Sequence, residues 1–201
     1  MKKIIIKYKP GCAGEPIALI IEKIRNGESP PGVDPLNRYN NDTPRVSNLA
    51  FRNASMFGLY DSFVEYDEPV SGVFLAHGLW LSTIANLYKK GFAFLYEIVD
   101  NTNIDCKKLF TAKVSQSKTM DEFFEKADQM IGTGFYSNPM ITDYEHQAFE
   151  CKTLSYQEIF ETYDGYKLIE EMGDIKMNDE WIDWYNKYCT RNKEIISEWA
   201  I

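Results

Sequence analysis

Three places in the sequence carry residues that can do chemistry. The first is the stretch 9–15, Lys9-Pro10-Gly11-Cys12-Ala13-Gly14-Glu15, set between an apolar run and a helical pattern. Glycines let an anion approach the backbone, and a helix start offers unpaired N–H groups and the positive end of a dipole. The stretch reads as an anion site or as a plain strand-to-helix turn. It lacks the Gly-Lys-Ser/Thr ending of a nucleotide-binding P-loop, and Glu15 places a carboxylate where a phosphate would sit. Cys12 is a thiol beside a helix N-terminus, a setting that can lower a thiol pKa. The second place is His77, on the residue that ends the apolar run 73–76. An imidazole there is either a general base poised near neutral pH or a histidine satisfied by a backbone carbonyl. The third is the polar turn 100–103, Asp100-Asn101-Thr102-Asn103, with Lys107 and Lys108 close behind.

The elements that must position these residues alternate. Ile4-Ile5-Ile6 is a short β-branched run of the kind that forms a buried strand. Ile17, Ile20, Ile21 and Ile24 then recur at helical spacing behind Pro16, which suits a first helical turn. The stretch 26–44 is a long irregular loop with five prolines and glycines before Pro44, and 45–57 is a helix with Arg45, Ser47 and Arg52 at or near its start. A short strand is expected at 61–66 and a buried one at 73–76. A helix follows from about Trp80 to Lys90, with Leu81, Ile84, Ala85 and Tyr88 on one face and Gly91 closing it. The run 92–99, FAFLYEIV, is the strongest strand. Strands alternating with helices predict a parallel sheet with right-handed crossovers, and ligands of such sheets bind outside the carboxyl ends of the strands. The three chemical stretches converge on that edge.

The C-terminal half is expected to be mostly helical. Thr119-Met120-Asp121-Glu122 and Ser155-Tyr156-Gln157-Glu158 are capping boxes that open helices. The stretch 139–147 reads as polar loop with His146 at the surface, and 149–154 as the last strand. A terminal helix runs from Asn178, as its cap, to about Trp199, with Trp181, Trp184, Tyr185, Tyr188, Ile195 and Trp199 as its core face.

Composition narrows the function. The 201 residues fit one domain, with 44% hydrophobic and 26% charged residues. A net charge of −8 disfavours sequence-independent binding to nucleic acid. No apolar run approaches a membrane span, and the N-terminal run is too short for a signal peptide, so a cytoplasmic protein is expected. Four widely spaced cysteines without a CxxC pair, and two histidines, argue against structural zinc and for four reduced, mostly buried thiols. The bias to Lys, Ile, Asn and Tyr suits an AT-rich genome, bacterial or viral.

The order of parts resembles the sulfotransferase family, P-loop-like α/β proteins that move a sulfuryl group from PAPS to a hydroxyl or amine. IIIKYKPGCAGEP is similar to the family's strand and 5′-phosphosulfate loop. FLAHGLWL is similar to the strand ending in Thr-His-Leu-Pro, whose histidine is the general base. KKGFAFLYEIVDNTNIDCKKLF is similar to the strand, Arg-Asn-Pro-Lys-Asp turn and helix that bind the 3′-phosphate, and FECKTLSYQEIFE to a later strand–helix segment. The resemblance implies a three-layer sandwich over residues 1–201, with no metal. It implies His77 and Lys9 as catalytic residues, and PAPS held by Gly11, Cys12, Ala13, Gly14, Glu15, Asn101, Lys107 and Lys108. A small polar molecule would be the acceptor. The match sets Asp100 against the turn's arginine. Two readings follow: a PAPS-dependent enzyme, or a non-catalytic binding or interaction module on the same fold that has lost the cofactor. A small kinase on a similar sheet stands behind both.

Overall fold

The β-branched run at the N-terminus forms β1, Ile4–Tyr8, and every residue of it is buried. The computed structural model describes residues 1–8, 12, 14–31, 72–76, 79, 81–102, 105, 106, 108, 109 and 141–198, the Glu15, Ser82 and Glu198 side chains excepted. The expected helix at 45–57, the strand at 61–66 and the capping box at 119–122 lie outside these residues.

β1 lies between β2, Val73–Ala76, and β3, Phe94–Val99. β4, Glu150–Ser155, extends the sheet beyond β3. All three pairings are parallel and the order is β2-β1-β3-β4. The register sets Lys7 beside Ala76 on one side and Glu97 on the other, with Glu97 in turn beside Thr153. This is an α/β fold, as the alternating pattern predicts.

Alternation along each strand divides the core. Ile4 and Ile6 of β1, with Val73, Leu75, Tyr96 and Ile98, pack against α1, Gly14–Arg25, and against three C-terminal helices. These are α4, Tyr156–Phe160, α5, Tyr166–Gly173, and α6, Asp179–Glu198. Ile5, Phe74, Ala76 and Leu95 face the other way, toward α2, Leu81–Lys89, and the segment around Phe149. Each isoleucine so buried contributes about 1.5–3 kcal/mol by leaving water. The terminal helix buries the expected stripe of Trp181, Trp184, Tyr185 and Ile195, with Asn178 Oδ1 accepting from the Trp181 amide at its start.

Two expectations change. In α2 the buried side chains are Thr83, Ile84 and Leu87, while Leu81 and Tyr88 are 58% and 61% exposed. The helix is rotated from the expected phase because its end is fixed elsewhere. Gly91 N–H donates to Tyr88 O, Phe92 N–H donates to Leu87 O, and Phe92 packs in one cluster with Leu87. The stretch 139–147 is not all loop. Thr142 caps α3, Asp143–Ala148, through a complete capping box with Glu145, and His146 lies on its exposed side. The helix shows no apolar stripe because its one buried side chain is the Glu145 carboxylate.

Gly91 carries a φ of 81°, and a Cβ there would meet only Lys3 Nζ at 3.9 Å. Gly91→Ala therefore strains the backbone without a clash. It is expected to cost about 1 kcal/mol, read from the urea midpoint.

Candidate functional site

β1 leads to β2 on one side of it, while β3 leads to β4 on the other, so the strand order reverses between β1 and β3. In open α/β sheets such a switch point, beyond the carboxyl ends of the strands, is where ligands bind. Cys12, Gly14 and the turn from Asp100 stand at this edge. Of the residues expected in the site, Cys12, Gly14, Asn101 and Lys108 are described, with the backbone of Glu15. Lys9, Gly11, Ala13, His77 and Lys107 lie outside the described residues, as does the Glu15 side chain.

Cys12 is fully buried, and Tyr8, at 5% exposure, packs directly on the first residue of α1. A Cβ added to Gly14 would fall 2.3 to 2.7 Å from the Tyr8 ring. The glycine permits that aromatic contact.

Asp100 is the centre of the turn beyond β3. It is 4% exposed and fully engaged. Its Oδ1 accepts from the Thr102 amide at 3.0 Å, the Thr102 hydroxyl at 2.8 Å and Gln157 Nε2 at 2.8 Å. Its Oδ2 accepts from the Cys106 amide at 2.9 Å. Burial alone would push this carboxyl up. The donors from Gln157, Cys106 and Thr102 outweigh it and hold the group below the usual carboxylate range. Thr102 Oγ1 also accepts from the Asp105 amide, as a helix cap does. The carboxylate thus takes the backbone donors that an incoming anion would use.

The neighbouring residues are engaged as well. The Asn101 amide donates to Gln157 Oε1 at 3.1 Å. Lys108 Nζ donates to the Ile196 carbonyl of α6 at 3.2 Å, which places its charge near the end of that helix. Cys106 is buried beside Cys12. Burial pushes its thiol up, and the neighbouring Cys12 thiol and Asp100 carboxylate push it the same way. All four cysteines are free, three of them buried and Cys151 half-buried, as the spacing predicts.

A second charged group was not singled out from the sequence. Lys7, on the smaller-cluster face of β1, is 3% exposed, and its Nζ lies 3.0 Å from both carboxylate oxygens of Glu145. Glu97 Oε1 lies 3.8 Å from the same ammonium and has no hydrogen-bond partner. Burial pushes the Glu97 carboxyl up; Lys7 pulls it back, and Glu145 adds to the rise. The signal was present in the sequence. Lys7 and Glu97 interrupt apolar strands at positions where alternation points the side chain inward, and Thr142-x-x-Glu145 is a capping box.

Among the described residues there is no group of three or more His, Cys, Asp and Glu side chains that could hold a metal ion, and no helix long and apolar enough to cross a membrane. No protein-family model, curated protein or solved structure matches the chain.

Proposed function

We propose that the chain is a P-loop-like, sulfotransferase-like module that works by binding at the carboxyl edge of its sheet, without PAPS as a donor. The observation that carries this reading is the Asp100 carboxylate. It occupies the place that the resemblance gives to a phosphate-binding arginine, and four protein donors already satisfy it. A phosphate brought there would meet a buried negative charge instead of a positive one, and sites for phosphate depend on donors and positive charge. Lys108, one of the two lysines that the resemblance assigns to the nucleotide, is engaged with α6. The Tyr8 ring packs against Gly14, the first residue of α1, where the resemblance places the end of the phosphosulfate loop. The residues described therefore do not fit the cofactor, which favours the binding or interaction module over the PAPS-dependent enzyme.

The test is a thermal shift with 3′,5′-adenosine bisphosphate over a range of concentrations. A ligand that binds only the native state must raise its melting temperature. No rise is expected. A saturable rise, absent with ATP and magnesium, would restore the enzyme reading with His77 as base and Lys9 at the transferred group.

A further inference from the structure

The second charged group has one feature that neither packing nor the edge site uses. Two buried carboxylates, Glu97 at 4% and Glu145 at 1% exposure, face the Lys7 ammonium. Glu145 has claimed it. Both its oxygens lie at 3.0 Å from Nζ, and its Oε2 also accepts from the Thr142 amide and hydroxyl. Glu97 stands further off, and its Oε1 is left without a hydrogen bond. A buried carboxylate so placed is costly when ionised and is relieved by taking up a proton. The groups that face Glu97 from the packed elements are Lys7 of β1, Thr153 of β4 and Glu145 of α3, with the Cys151 thiol of β4 under the influence of the same charges.

We propose that Glu97 is a proton-binding switch for the docking of α3. With the proton on Glu97, Lys7 belongs to Glu145 and holds α3 against the sheet. Without it, two ionised carboxylates share one ammonium and repel each other, and α3 is the part that can yield. That helix has six residues; apolar packing reaches it through Ala148 and the flanking Ile141 and Phe149, and Glu145 is its one buried side chain, so the ion pair is its one buried polar tie to the sheet. The step is a simple proton transfer between the Glu97 carboxyl and water, with no other reactant.

The sign follows from the raised carboxyl. The stability it confers is fully present below the ordinary glutamate pKa, and it is lost as pH rises through the folded-state value. The experiment pairs two pH titrations of the unaltered protein. Infrared spectroscopy reads the C=O stretch of a protonated carboxylic acid, and amide hydrogen exchange reads the protection of α3. The expected result is loss of the carboxylic acid band, with loss of α3 protection at the same pH once the intrinsic pH effect is removed. Glu97→Gln should lack the band and keep α3 protected throughout. If Glu97→Gln does not fold, a displaced band in Glu97→Asp assigns the proton. A missing band in the unaltered protein, a band that survives in Glu97→Gln, or α3 protection that ignores the titration would each overturn the proposal.

Discussion

Asp100→Ala is expected to lose about 3 kcal/mol of stability at neutral pH, measured by urea unfolding. The substitution leaves the buried Cys106 amide, the Thr102 amide and hydroxyl and the Gln157 amide without the oxygens they now share. Hydrogen bonds to a charged acceptor are among the stronger ones, and a buried donor left unpaired adds its own desolvation cost. Asp100→Asn keeps one acceptor oxygen but turns an NH₂ toward a donor, so it should lose a large part of the same energy. The pH dependence separates this role from simple packing. The Asp100 carboxyl is held below its usual range in the folded protein. Its contribution is therefore present above the ordinary aspartate pKa and is lost as pH falls through the folded value. The gap between the unaltered protein and Asp100→Asn should shrink in that acid window. A gap that stays constant would show that the carboxylate charge is not what the turn uses.

Lys7→Met should cost more, about 3–5 kcal/mol at neutral pH. Methionine fills similar volume, so the loss is electrostatic: Glu97 and Glu145 remain buried with the ammonium gone. The Glu97 carboxyl, already raised by burial, then loses the charge that pulls it back. The stability lost at neutral pH should return progressively as pH falls and Glu97 takes up a proton. Adding Glu97→Gln and Glu145→Gln to Lys7→Met should recover most of it, because replacing a whole buried charge cluster costs less than removing one partner. Urea unfolding of the single and triple variants at neutral and acid pH checks both statements. A Lys7→Met variant as stable as the parent at neutral pH would mean that the cluster is not electrically coupled.

β1, β2 and β3 were legible because their largely apolar runs of four to six residues had no competing pattern, and these three strands are buried on both faces. The rotation of α2 was not. Leu81, Ile84, Ala85 and Tyr88 form a sound helical stripe, but so do Thr83, Ile84 and Leu87. In a nine-residue helix the choice was made by the Gly91 turn, which brings Leu87 to Phe92, and by the edge-on contact of Phe92 with Phe74 at 6.2 Å. Periodicity carries no information about that contact. α3 escaped notice for a related reason: it docks through a carboxylate, and a buried ion pair leaves no apolar period. At the site, the sequence showed a carboxylate at Asp100 where the resemblance placed an arginine. Its satisfaction depends on Gln157, which comes from the start of α4, and only the pairing of β3 with β4 brings that helix to the turn.

The most direct measurement is an NMR titration of the protein with 3′,5′-adenosine bisphosphate, following the backbone amides of Thr102 and Cys106. These are the N–H groups that Asp100 holds. They should keep their chemical shifts at every concentration, because the donors are already occupied by a buried carboxylate. Saturable shifts at these two amides would contradict the assignment of Asp100 as the protein's own anion and would return the turn to phosphate binding.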